Sequence, residues 1–214
     1  RRAIEADQIQ SLILYGPPGT GKTSIASVIA ENTDSDFKVL NAVTSGVGDI
    51  RDIIKEAKDK KDLYNTSTIL FIDEIHRFNK AQQDALLPAV EKGIVIMIGA
   101  TTENPYFEVN SPLLSRSRIF QLKPLSKEDI VNIINDALKS NRGLKDYNIQ
   151  IENKTIEFIA ELADGDARMA LNTLEAAVLT TPLNKEGEIV LDKDIIRNSL
   201  QKKSLNYDKK GDNH

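Results

Sequence analysis

Cysteine is absent, and histidine occurs only at His76 and His214. Without thiols there are no disulfide frameworks, thiolate zinc sites or cysteine nucleophiles, and two histidines exclude a multi-histidine metal site. Long apolar runs are missing as well. The longest, Ile94 to Ala100, falls far short of the roughly 20 residues that span a bilayer. Positive charge is not in excess: 28 Lys+Arg against 32 Asp+Glu give a net charge of −4 at pH 7. That argues against a generally basic nucleic-acid coat but leaves room for a local basic groove. No basic-plus-apolar stretch opens the sequence, and the lack of cysteine is compatible with a cytoplasmic protein. What is present is a chain of 214 residues with 40% apolar side chains. It can bury a sizeable core as one large domain or two small ones. It begins at Arg1 and closes in the polar run Lys209–His214, so a piece of a longer protein is expected.

Hydrophobic periodicity divides the chain in two. Ser11–Tyr15, Phe37–Asn41, Thr68–Asp73, Ile94–Ala100 and Ile119–Leu122 read as apolar strands. Between them lie helical patterns. Ser24–Glu31 carries Ile25, Val28 and Ile29 on one face, Gly48–Asp59 carries Ile50, Ile53, Ile54 and Ala57, and Ala81–Val90 follows. Strands alternating with helices predict βαβ crossovers and a parallel sheet covered on both faces. The texture changes at Lys123-Pro124-Leu125-Ser126, where Ser126 is suited to cap a helix with Asp129 in its first turn. Helices are then predicted at Lys127–Ser140, Lys154–Ala163, Ala167–Thr180 and Lys193–Gln201, the last capped by Asp192. A short extended piece stands at Glu188–Leu191. The expected organisation is an α/β domain over 1–123, a helical domain over 124–203 and a polar tail over 204–214.

Gly16-Pro17-Pro18-Gly19-Thr20-Gly21-Lys22-Thr23 satisfies G-x-x-x-x-G-K-[ST], follows an apolar strand and opens a helix. Glycines let backbone N–H groups close around a polyphosphate, Lys22 reaches the β- and γ-phosphates, and the Thr23 hydroxyl ligates Mg²⁺. The helix that follows turns its positive end toward the anion. ATP and Mg²⁺ are the implied ligands. The strand Ile69–Ile72 ends in Asp73-Glu74, delivering two acids to the edge where open parallel sheets bind ligands. Asp73 suits the magnesium shell, and Glu74 suits the activation of water. Met97–Ala100 ends in hydroxyls, of which Thr102 is the first choice to hold that water and Asn104 the second. Arg116 and Arg118 precede the fifth strand, either as a basic turn or with one reaching a neighbour's γ-phosphate. Arg168 stands in the first turn of a predicted helix, where acids are preferred, so it is read as facing an anion.

Taken in order, GPPGTGKT, LFIDE, the Thr102 strand end, Ser115-Arg116 and Gly165-Asp166-Ala167-Arg168 resemble Walker A, Walker B, sensor 1, arginine finger and sensor 2 of an AAA+ ATPase. Asp73–Lys80 with Gln82-Gln83-Asp84, and Gly99–Pro105 followed by Phe107–Asn110, are similar to the replication-associated recombination protein A family. Its eukaryotic relatives are the Werner-helicase-interacting proteins. The resemblance implies a P-loop α/β core with a five-stranded parallel sheet and a small all-α lid. It implies a DNA-dependent ATPase at stalled or damaged forks, binding single-stranded, forked or end DNA. Single-stranded-DNA-binding protein and replisome components would be its partners, and a homo-oligomeric ring in the bacterial nucleoid its setting. In the stretch Ser45–Arg51 the family often carries Lys where Gly48 stands, leaving Arg51 and Lys55 as phosphate contacts or as a solvated helix face. A clamp-loader-like or RuvB-like subunit and a non-hydrolysing nucleotide-sensing scaffold are the rival readings.

Overall fold

A computed structural model describes residues 10–33 and 35–200. By compactness they form two units: residues 10–17 with Gly21–Lys123, and Pro18–Thr20 with 124–200.

The first unit is built on five parallel strands. They are β1 (Leu12–Tyr15), β2 (Asp36–Asn41), β3 (Thr68–Asp73), β4 (Val95–Thr101) and β5 (Arg118–Gln121), in the spatial order β2-β3-β4-β1-β5. Each lies within a residue or two of its predicted range. Successive side chains of a strand point to opposite faces, and here both faces are buried. Ile13, Leu70, Ile72 and Met97 pack on one side with Ile50, Ala57 and Leu86 of the helices Val47–Tyr64 and Lys80–Glu91. Leu12, Leu14, Ile69, Phe71, Ile98 and Ala100 pack on the other with Ala26, Ile29 and Ala30 of the helix Lys22–Glu31. This two-sided burial is why the strands read as unbroken apolar runs.

The face of helix Lys22–Glu31 differs from the sequence reading. Ile29 is buried, but Ile25 and Val28 are exposed, and Lys22, Ala26 and Ala30 take their place on the sheet. The helix turns 100° per residue, and the phosphate loop fixes its phase so that Lys22 starts the inward stripe. Charges line the edge strand β2: Lys60 pairs with Asp36 at 2.7 Å and Lys38 with Glu56 at 2.8 Å. Such a charged edge discourages pairing with another sheet.

The second unit is mainly helical: Lys127–Lys139, Asn153–Ala163, Ala167–Thr180 and 193–200. Its core holds Ile130, Ile134, Ile156, Ile159, Leu174 and Ile196. The expectation of an all-α lid is amended by one feature. Strands β6 (Ile149–Ile151) and β7 (Ile189–Leu191) pair in parallel, Ile149 opposite Ile189. They bury Ile189 and Leu191 in the same core and leave Gln150 and Val190 outside. β7 falls within the extended piece expected at Glu188–Leu191, whereas β6 carries too little periodicity to be read alone, although I-Q-I does alternate. The Asp192 carboxylate caps the final helix, accepting from the Ile195 N–H at 2.8 Å. Gln201 and the tail 204–214 lie outside the described residues. Among the described residues no helix is long and apolar enough to cross a membrane.

Helix Lys127–Lys139 opens with a complete capping box. The Ser126 hydroxyl accepts from the Asp129 N–H at 3.1 Å, and the Asp129 carboxylate accepts from the Ser126 hydroxyl at 2.6 Å and its N–H at 2.9 Å. The Ser126 hydroxyl first, then its N–H, hold the Asp129 carboxyl below the ordinary carboxylate value. A carboxyl lowered in the native state stabilises fully above its unfolded-state value, and that contribution fades as pH falls through the native value. An NMR titration is expected to find Asp129 below an ordinary aspartate, and Ser126→Ala to move it back up.

Candidate active site

The phosphate loop leaves β1 beside the end of β4. Tyr15 is in register with Thr101, and the Gly16 N–H donates to the Thr101 carbonyl at 3.2 Å. Gly16 adopts φ +152°, and a Cβ there would lie 2.3 Å from the Leu122 carbonyl oxygen. Only glycine permits the chain to turn so close to the end of β5. Lys22 is buried, and its Nζ donates to the carbonyls of Gly16 and Pro17, both at 2.8 Å. The ammonium is therefore folded over the root of the loop. Thr23 follows it on the exposed first turn of helix Lys22–Glu31. That helix starts from Gly21 in the left-handed region, no side chain caps it, and no acid stands in its first turn. A helix start lacking those groups is suited to an external anion.

Pro17 and Pro18 are exposed and Thr20 is buried. The tip Pro18–Thr20 packs as part of the second unit. Gly19, at φ +67°, accepts from the Ala167 N–H at 3.2 Å, and a Cβ there would strike the Asp166 carboxylate at 1.8 Å. Asp166 caps helix Ala167–Thr180 through the Met169 N–H at 2.9 Å, and Arg168 is an exposed residue of that helix's first turn.

Asp73 and Glu74 stand two strands from the loop. β3 pairs with β4 with Ile72 opposite Gly99, so extending the register two residues brings Glu74 level with Thr101. Loop root, acids and Thr101 thus share the C-terminal edge of one sheet. Asp73 is partly buried. Glu74 adopts φ 56°, ψ 43°, a left-handed conformation that costs a non-glycine residue roughly 1–2 kcal/mol. Such backbone strain is concentrated at functional sites. Its carboxylate lies 3.3 Å from His76 Nε2, and His76 Nδ1 lies 2.9 Å from the Thr101 hydroxyl.

The structure distributes the remaining candidates differently. Thr102 is exposed just past β4, while the buried hydroxyl tied to the acid pair is that of Thr101, which sequence reasoning passed over. Asn104 is engaged as a cap, accepting from the Tyr106 N–H at 3.1 Å. Arg116 is at the opposite edge. It pairs with Glu91 at 2.6 Å and donates to the Pro112 carbonyl at 2.9 Å. Its cleft is lined by Ser11 and Val95, at the beginnings of β1 and β4. Gln83 holds the segment leading to this arginine, donating to the Glu108 carbonyl at 3.0 Å and accepting from the Asn110 N–H at 2.7 Å. Gln83 stands in a string that resembles the family, but its contacts, like the pairing of Glu91 with Arg116, could not be read from the sequence.

The donor set fits magnesium bound with a nucleotide. Among the described residues no group of three or more His, Asp or Glu side chains could hold a metal by itself. One hydroxyl and one carboxylate suit a hard cation that takes its other oxygens from phosphate and water.

The family model for the ATPase family associated with various cellular activities (AAA) matches residues 12–125 of the 214. The chain belongs to the AAA ATPase family. A model of the AAA C-terminal domain matches residues 145–214. Replication-associated recombination protein A of Escherichia coli (strain K12) is 48% identical over 99% of this chain and 47% of its own length. The Bacillus subtilis protein of the same name is 44% identical over 100% of this chain and 50% of its own. This AAA ATPase therefore spans about half the length of the curated relatives it matches. The Thermotoga maritima RuvB Holliday junction branch migration motor has the same fold, with a TM-score of 0.72 at 29% identity over 94% of this chain and 64% of that one. The resemblance to the replication-associated recombination protein A family and the P-loop α/β fold both stand.

Gly16→Ala tests the geometry of the loop root. The added methyl meets a backbone carbonyl that cannot yield. The substitution is expected to cost at least about 2 kcal/mol in chemical denaturation.

Proposed function

We propose that this chain is the ATP-hydrolysing core of a DNA-dependent AAA+ ATPase acting in replication-fork maintenance, recombination and repair. The observation that carries the reading is the gathering of the loop root, Lys22, Asp73 and Glu74 at one sheet edge. The names of the relatives, which speak of replication-associated recombination and of Holliday junction branch migration, support DNA as what the intact protein works on. Single-stranded or forked DNA, single-stranded-DNA-binding protein and replisome components are the partners this reading implies, in the bacterial cytoplasm at the nucleoid. Residues 1–123 serve as the nucleotide-binding domain and 124–203 as the lid.

In this mechanism the N–H groups of Gly16–Thr23 and the Lys22 ammonium bind the triphosphate of the substrate ATP. Thr23 and Asp73 hold Mg²⁺, which when bound neutralises charge on the β- and γ-phosphates. Glu74 accepts a proton from water as the water oxygen bonds to the γ-phosphorus. The bond to the β–γ bridging oxygen breaks, releasing ADP and phosphate. Thr102 orients that water, and Arg168 closes on the nucleotide of its own chain. Arg116 sits at the far edge from its own loop, which favours action on a neighbour's γ-phosphate in an oligomer.

Steady-state ATP hydrolysis by the intact protein with DNA ends tests the reading. Glu74→Gln is expected to lower kcat by about 100-fold or more while nucleotide still binds. Equal turnover in wild type and variant would mark a nucleotide-sensing scaffold instead. Arg116→Ala alone is expected to lose about 10³-fold. Mixing it with Glu74→Gln protein should restore part of the turnover through hybrid interfaces, and no recovery at any ratio would refute action in trans.

A further inference from the structure

The proposed catalytic acid Glu74 is fastened to a side chain of the short turn that follows it. The residues Ile75–Arg77 form a single 3₁₀ turn. Ile75 is fully buried, and it lies so close to β4 that a Cβ on Gly99 would sit 3.0 Å from its Cδ1. The Phe78 N–H closes the turn on the Ile75 carbonyl at 3.0 Å. The turn is thereby pinned to the sheet, and the His76 side chain, 10% exposed, is held between Glu74 and Thr101.

For a neutral ring, the hydrogen-bond partners favour one placement of the protons along this line. The Thr101 hydroxyl oxygen accepts from the Glu103 N–H at 2.9 Å. Its own proton has a partner at 2.9 Å in His76 Nδ1 and a poorer one at 3.4 Å in the Glu103 carbonyl. With Nδ1 accepting, the neutral ring carries its proton on Nε2, which then donates toward the Glu74 carboxylate at 3.3 Å. The opposite neutral tautomer would set two lone pairs against each other. The line continues into the nucleotide loop, because the Thr101 carbonyl accepts the Gly16 N–H at 3.2 Å.

We propose that His76 is a positioning residue for ATP hydrolysis: held by the Thr101 hydroxyl, it fixes one oxygen of the Glu74 carboxylate and ties that acid to the root of the phosphate loop. The proposal rests on Glu74 activating water. A carboxylate on a freely rotating side chain must find its angle on every turnover, whereas one fastened through a pinned imidazole is set in advance. A glutamine at position 76 keeps an amide donor at about the reach of Nε2. An asparagine offers its amide only at the reach of Nδ1, so it keeps the Thr101 contact and loses Glu74.

Turnover and KM for ATP are measured on the intact protein with DNA ends, alongside wild type and Glu74→Gln. His76→Asn and Thr101→Val are expected to lower kcat about tenfold with KM changed less than about twofold, and His76→Gln and Thr101→Ser to recover most of the loss. Wild-type kcat in His76→Asn, with Glu74→Gln inert, overturns this proposal and leaves Glu74 as the base. Turnover equal in wild type and Glu74→Gln removes the underlying reading and this proposal with it. ¹⁵N NMR of the imidazole in wild-type protein decides independently of how the variants fold. A proton on Nε2 is expected, and a neutral ring protonated on Nδ1 refutes the assignment.

Discussion

Parallel pairing of β1 with β4 on one side and β5 on the other is the constraint on which the rest depends. It fixes Tyr15 opposite Thr101 and brings the Gly16 turn within 3.2 Å of the β4 backbone. β3 lies on the other flank of β4, in a register that brings Glu74 level with the same threonine. Because all five strands run the same way, every strand end that carries polar chemistry emerges on one edge. Parallel sheets need helices on both faces, and the two apolar layers of the first unit supply them. The apolar runs that build the core and the polar residues that end them are two consequences of one topology.

The same constraint separates the arginine from the loop. Arg116 precedes β5, so it belongs to the edge where strands begin, and Glu91 holds it there at 2.6 Å. Both partners are about 40% exposed, and an ion pair so placed contributes little to stability. Its use lies in orientation, since it keeps a long side chain from sampling other rotamers. Gln83, buried and bonded on both sides of its amide, connects the helix after the acid pair to the segment that carries this arginine.

Much of the fold could be read from residue order because its signals are long and redundant. Thr68–Asp73 and Ala167–Thr180 match their predicted bounds, and the other principal elements fall within a residue or two, except the helix Val47–Tyr64, which was expected to end at Asp59. Short elements escaped: the turn Ile75–Arg77, the helices Pro105–Glu108 and Ser111–Ser115, and strand β6 are each too brief to show a period. Ile25 and Val28 were assigned to a buried face because they are apolar, but the phase set by Lys22 turns them outward. In the candidate site, the glycines, Lys22 and the acid pair were legible because backbone geometry and charge leave few alternatives at those positions. The link from Glu74 through His76 to Thr101 was not, since it joins residues 25 apart across two strands. Its only trace in the sequence is a histidine two places past the acids.

Magnesium-dependent nucleotide binding, followed by titration calorimetry with a slowly hydrolysed ATP analogue, tests the central claim most directly. If the loop and the acid pair converge on one triphosphate and its cation, this chain binds the analogue, Lys22→Ala abolishes binding, and Asp73→Asn removes its dependence on magnesium. Affinity untouched by Lys22→Ala, or no binding by folded wild-type protein, would contradict the account.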